Sequence, residues 1–155
     1  MIHTADANFM RLALEQARAA AQMGETPVGA VAVWDGKVVA SAHNRRETDN
    51  CALAHAELLA IRAACQALGG WRLHRCTLYV TLEPCPMCAG AIFNARIARV
   101  VFGASDPKAG CLGSLADFTA LPFNHKPEVT GGVLEEECAA LLRDFFRRLR
   151  GKDNS

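Results

Sequence analysis

The sequence has almost no net charge: 17 lysines and arginines stand against 16 aspartates and glutamates, giving +1 at neutral pH. No overall field draws the chain to a nucleic acid or a membrane surface, so any such partner has to be met by a local patch. Long apolar runs are also missing. No stretch approaches the ~20 residues that a helix needs to cross a bilayer. Met1-Ile2-His3-Thr4-Ala5-Asp6 has no basic segment leading into an apolar one, so no secretory signal is read there. Internal repeats, low-complexity tracts and interdomain linkers are absent, and 155 residues suit a single domain over 1–155, with 151–155 expected to be a loose tail. Disorder is excluded by what is present: 51% of residues are apolar and 21% are charged, as in ordinary globular proteins.

Cysteine is plentiful. Seven is an odd number, so the cysteines cannot all pair within one chain. A domain of this size does not need disulfides to fold. The expected setting is a reducing cytoplasm, where cysteines serve as small buried hydrophobes, metal ligands or catalytic thiols. Cys65, Cys76, Cys111 and Cys138 are expected as core thiols and Cys51 as an inert loop thiol, while His3, His43, His74 and His125 read as surface or loop residues.

The periodicity predicts a helix from Asp6 to Met23, with Asp6 as its cap, an apolar stripe of Phe9, Leu12, Ala13, Ala17 and Ala20, and Gly24 as its stop. Two apolar runs, Val28–Trp34 and Lys37–Ser41, flank Asp35-Gly36, a strong hairpin signal. Asn44–Asn50 reads as a polar loop, and His55–Leu68 as a helix closed by Gly69-Gly70. Thr77–Thr81 reads as a strand broken by Leu82-Glu83-Pro84, and Pro86–Ile92 as a helix with proline in its first turn. Ile97–Phe102 is a further strand. Ser105–Lys126 is mostly loop with a short helix near Leu115, and Glu128–Thr130 is an edge strand. Leu134, Cys138, Leu141, Leu142, Phe145 and Leu149 mark a final amphipathic helix. This order predicts a three-layer α/β/α domain around a mixed five-stranded sheet.

The chemistry concentrates in His55-Ala56-Glu57 and Pro84-Cys85-Pro86-Met87-Cys88, each at the start of a predicted helix. Two sulfurs one helical turn apart reach one ion, and a helix N-terminus favours thiolate over thiol. One imidazole and two thiolates suit tetrahedral zinc and leave its fourth position to water, the mark of a catalytic rather than a structural centre. Glu57 follows His55 by two residues, which on a helix turns it ~200° away. With His55 still in loop geometry, both face one pocket, and the carboxylate can take a proton from water and hand it on. Read from the residues alone, a redox CxxC pair and a closed zinc site using Cys51 remain alternatives. The H-x-E…P-C-x-x-C pattern as a whole is the signature of zinc nucleobase deaminases.

The likeness extends well beyond that signature. Pro27-Val-Gly-Ala-Val31, His43-Asn-Arg45, Thr77-Leu-Tyr-Val-Thr-Leu-Glu-Pro-Cys85 and Met87-Cys-Ala-Gly-Ala91 resemble the bacterial tRNA-specific adenosine deaminases. So do Arg96-Ile97, Val100-Val-Phe-Gly-Ala104, Gly113-Ser-Leu115, Asn124-His125, Glu137-Cys-Ala-Ala-Leu-Leu142 and Asp144-Phe-Phe-Arg147, so that the likeness runs from Phe9 to Arg150. The resemblance implies a cytidine-deaminase-like fold, a homodimer, and conversion of adenosine to inosine at the wobble position of the anticodon. It further implies zinc on His55, Cys85 and Cys88, a proton shuttle at Glu57, and Asn44 against the flipped purine. Asp106, Lys108 and Phe146 would meet the anticodon stem-loop. Two departures stand out: Cys51-Ala52-Leu53-Ala54 replaces the usual Asp-Pro-Thr-Ala, and Pro86 stands where Val or Ala is commoner, as it does in guanine deaminases. Deamination of a free base or nucleoside, guanine or cytosine, is therefore the alternative function. Local charge favours RNA: Arg143–Lys152 holds five basic side chains and one acidic, whereas residues 1–142 hold 12 basic and 14 acidic.

Overall fold

A computed structural model of the chain describes residues 1–153. In chain order the elements are α1 (Asp6–Gln22), β1 (Gly29–Trp34), β2 (Lys37–His43), α2 (Ala56–Leu68), β3 (Cys76–Leu82), α3 (Pro86–Asn94), β4 (Arg99–Ala104), β5 (Glu128–Thr130) and α4 (Glu135–Asp153). The strands form one mixed sheet in the order β2-β1-β3-β4-β5, with β1 antiparallel to both neighbours and β3, β4 and β5 parallel. Asp35 and Gly36 turn the β1–β2 hairpin with φ of 52° and 73°, the left-handed pair that a two-residue turn requires.

The sheet is buried on both faces, and alternation along each strand divides it. Ala30 and Ala32 of β1, Leu78 and Val80 of β3, and Val100 and Phe102 of β4 face α2 and α3. Val31, Val33, Tyr79 and Val101 face α1 and α4. This is the expected three-layer arrangement. The buried stripe of α2 is Ala56, Ala60 and Ala64, one per turn and all fully buried; without bulk on that face, the helix lies close to β1 and β2. That approach brings the start of α2 to the carboxyl end of β3, where α3 also begins.

Four expectations need correction. Leu12 is 36% exposed, and the buried stripe of α1 is instead Met10, Ala13, Leu14, Ala17 and Ala20. Phe9 does pack on Tyr79, with ring centroids 5.2 Å apart, but Leu12 turns outward because Met10 and Leu14 fill the space above Val31 and Tyr79. Asp6 does not cap α1: it is the first helical residue, and its fully buried carboxylate accepts bonds from the His3 N–H (2.7 Å), the Tyr79 hydroxyl (2.7 Å) and both terminal nitrogens of Arg99 (2.8 Å each). The short helix lies at Phe118–Ala120 rather than at Leu115, started by Asp117, whose side chain accepts from the Thr119 N–H. Residues 151–153 extend α4 rather than forming a loose tail, and 154–155 lie outside the described residues.

Candidate active site

His55 and Cys85 each occupy the residue just before a helix, with extended backbone (φ −79°, ψ 149° and φ −73°, ψ 174°). Their side chains therefore escape the helical spiral and meet across the gap between α2 and α3. Cys88 follows one turn into α3 and is fully buried. Nδ1 of His55 lies 3.7 Å from Sγ of Cys85 and 3.6 Å from Sγ of Cys88, and the three donor atoms all fall within 4.8 Å of one another. A tetrahedral zinc with Zn–N of ~2.0 Å and Zn–S of ~2.3 Å requires its nitrogen and sulfur ligands to stand about 3.5 Å apart. The donor types and the spacing both fit that ion. Three protein donors leave one of its four positions to water, and among the described residues no fourth His, Cys, Asp or Glu joins the cluster.

The protonation states are set by mutual contact. The Cys88 thiol and the His55 ring, donating to Cys85, bring Cys85 down to about 4 despite its burial. The same contact, with burial, raises Cys88, and Cys85 raises His55 in turn. Glu57 lies in the first turn of α2 and is 4% exposed. Burial, reinforced by the Cys85 thiolate, pushes its carboxyl up to about 7. Near neutrality such a group both accepts and returns a proton.

A pocket of about 180 Å³ opens over this cluster, with Asn44, Arg46 and Thr26 on one wall and Asp106 and Ala109 on the other. Asn44 is 7% exposed and held at both ends: Nδ2 donates to the Thr26 carbonyl (3.3 Å) and Oδ1 accepts from the Arg46 N–H (3.1 Å). One N–H and one lone pair of its amide remain for a ligand. Asp106 accepts from the N–H groups of Lys108 (3.0 Å) and Ala109 (3.3 Å), which folds its loop back on itself. Beyond the pocket lies a groove of about 940 Å³, bordered by Arg46, Asp106, Lys108, Arg143, Phe146, Arg147 and Arg150. Lys108 and Phe146 belong to this groove and not to the pocket; Asp106 borders both. Phe146 is 41% exposed, whereas Phe145 is half-buried against the body.

Sequence reading missed Arg46 and Thr26, which border pocket and groove alike. It also missed the buried carboxylates Glu25 and Glu83. Arg46 sits beside Asn44 in the chain, and that adjacency was its available signal. The partners of Glu25 and Glu83 are, apart from the Ser114 hydroxyl, backbone N–H groups in distant loops, which leave no pattern in residue types.

A mixed sheet that delivers one imidazole, two sulfurs and a buried carboxyl to a single pocket defines a deaminase-class enzyme. Comparison with known proteins agrees. Residues 4–150 match the model of the MafB19-like deaminase family. The chain is 55% identical over 150 residues to the tRNA-specific adenosine deaminase of Bacillus subtilis strain 168, covering 96% of this chain and 93% of that protein. It is 50% identical to a solved structure from work on A-to-I editing by tRNA:A34 deaminases at the wobble position of transfer RNA, with a TM-score of 0.85 over 87% of this chain and 99% of that one. A guanine deaminase from Bacillus subtilis is 42% identical, with a TM-score of 0.62 over 68% of this chain and 66% of that one. The chain belongs to the MafB19-like deaminases and, within them, to the family of tRNA-specific adenosine deaminases.

Proposed function

We propose that this chain hydrolyses adenosine to inosine at the wobble position of a tRNA anticodon, with zinc on His55, Cys85 and Cys88. The observation that carries this reading is the continuity of the site: a metal-type donor cluster with a buried acid lies at the bottom of a pocket that opens into a basic, aromatic-bearing groove. The near-full-length identity to tRNA-specific adenosine deaminases supports the same substrate.

When bound, zinc supplies the Lewis acidity that makes water a nucleophile near neutral pH. Glu57 takes a proton from the attacking water and delivers it to ring nitrogen N1. As the water oxygen bonds to C6, Glu57 is left free to take the remaining proton from the new C6 hydroxyl and pass it to the 6-amino group; the C6–N bond breaks and ammonia leaves, so that adenosine and water become inosine and ammonia. Asn44, fixed by Thr26 and the Arg46 N–H, orients the purine with its remaining amide valences. The anticodon loop is single-stranded, so drawing its base out of the stack costs less than in a duplex. Lys108, Arg143, Arg147 and Arg150 face the backbone phosphates, Phe146 offers a stacking surface for a neighbouring base, and Asp106 meets the loop at the pocket rim.

The working unit of this reading is a cytoplasmic homodimer. Seven free thiols suit a reducing compartment. Phe123, 46% exposed, packs on Phe93 of α3 at 5.3 Å and extends an apolar surface for a second copy. Incubation of the zinc-loaded protein with an anticodon stem-loop, free guanine and cytidine tests the reaction. The expected product is inosine, from the stem-loop alone; xanthine from guanine with an untouched stem-loop would assign the chain to free-base deamination instead.

A further inference from the structure

Two buried carboxylates have no part in the chemistry above, and each serves one of the two loops that frame the pocket. Glu25 is 1% exposed and Glu83 is 2% exposed. Glu25 accepts from the N–H groups of Glu47 (3.1 Å) and Thr48 (2.7 Å), in the loop that carries Asn44 and Arg46. Glu83 accepts from the N–H groups of Asp106 (3.1 Å), Leu112 (3.0 Å) and Ser114 (3.1 Å) and from the Ser114 hydroxyl, in the loop that carries Asp106 and Lys108.

A charge in the interior costs free energy unless its oxygens are met by donors. Here the donors come from loop backbone rather than from cationic side chains, so the charges act as anchors for chain segments that the sheet does not reach. A neutral amide cannot replace them: it has one acceptor oxygen, and its own N–H donors would face N–H donors. Gly110 shows how tightly the second loop is wrapped. A Cβ there would lie 2.4 Å from the Glu83 carboxyl carbon and 2.6 Å from Oε1, so any side chain would push the loop off its anchor.

We propose that Glu25 and Glu83 are positioning residues that fix the two loops at the separation the RNA needs to enter, one carboxylate for each wall of the mouth. The proposal rests on the function proposed above. Glu25 lines neither pocket nor groove, and Glu83 borders the pocket with both oxygens already taken by Asp106, Leu112 and Ser114, so each acts through Asn44 and Arg46 or through Asp106 and Lys108.

The test uses the full zinc-loaded chain carrying Glu25→Gln, Glu83→Gln or the milder Ser114→Ala, which removes one donor from Glu83 and leaves its three backbone N–H donors in place. Zinc content, melting temperature, kcat and KM on an anticodon stem-loop are measured. The dissociation constant for the stem-loop is measured in a Glu57→Gln background, where turnover does not interfere. Loss of loop placement removes binding shared by ground and transition states. The expected result is therefore a rise in KM and Kd of about tenfold for either Gln variant and a smaller rise for Ser114→Ala, with kcat within about threefold and one zinc per chain retained. Folded, zinc-loaded variants with wild-type KM and Kd would overturn the proposal, as would a KM rise that merely tracks lost zinc or lost folded protein. Should Glu83→Gln fail to fold, Ser114→Ala and Glu25→Gln decide the matter. A wild-type protein that neither binds nor deaminates the stem-loop overturns the function and this proposal together; wild-type turnover with unmoved variants overturns this proposal alone.

Discussion

At the scale of single residues, Glu57 and Asp6 show how differently a buried acid can be used. Glu57 is raised by burial, and then by the Cys85 thiolate, by more than its own backbone N–H and the His55 ring lower it, which suits it to proton transfer. Glu57→Gln is expected to keep one zinc per chain and to lose deamination by about 10²–10⁴-fold, read by metal analysis and inosine formation; loss of the metal as well would remove Glu57 from the shuttle role. For Asp6, burial alone would raise the carboxyl, but the Arg99 guanidinium, the His3 N–H and the Tyr79 hydroxyl together hold it well below the usual carboxylate range. A carboxyl lowered in the folded state stabilises fully above its unfolded pKa, ~3.9, and loses that contribution as pH falls toward its folded value. Asp6→Asn, which breaks a buried pair, is expected to cost about 3 kcal/mol in urea unfolding at neutral pH, with the gap to wild type narrowing below pH ~4. An unchanged gap across that range would mean that the ionised carboxylate is not what stabilises. Residue types made His55, Cys85, Cys88 and Glu57 legible, because metal and proton chemistry permit few side chains. Asp6 read as a cap because nothing in its neighbourhood announces Arg99, 93 positions away.

At the scale of elements, the site is an affair of helix starts and loop walls. The starts of α2 and α3 hold the donors, and α4 adds Arg143, Arg147 and Arg150 to the Arg46 and Lys108 that the loops bring to the groove. Arg147→Ala and Arg150→Ala are each expected to weaken stem-loop binding and to lower the log Kd versus log salt slope by roughly 0.7–1. Phe146→Ala is expected to cost about 1–3 kcal/mol of binding with little change in that slope, since stacking is not ionic. A slope unmoved by the arginine variants would place the RNA elsewhere. Hydrophobic period and flanking turn residues located the four α-helices and the five strands, though not the short helix at Phe118–Ala120, and Asp35-Gly36 located the hairpin, because these signals are local. The period failed on α1, where alanines dominate the stripe and Leu12 and Leu14 compete for the inward position; only packing against Val31 and Tyr79 selects Leu14.

At the scale of the whole molecule, the two core clusters lie on opposite faces of the sheet, and the donor cluster sits at the edge of the inter-helix space rather than in either core. The fold is therefore expected to stand without the ion. Treatment with a strong chelator is expected to abolish deamination and leave the circular dichroism spectrum unchanged, with activity restored by added zinc; unfolding on chelation would make the centre structural. Composition and element order made a mixed five-stranded sheet legible, but not its order. The placing of β1 between β2 and β3 is set by faces that become visible only when α2 and α1 are packed on either side. The most direct test of the central claim is X-ray absorption at the zinc edge of the loaded protein. The expected result is two sulfurs at about 2.3 Å and two lighter atoms at about 2.0 Å, one from His55 and one from solvent. A shell of three or four sulfurs, or one without sulfur, would contradict it.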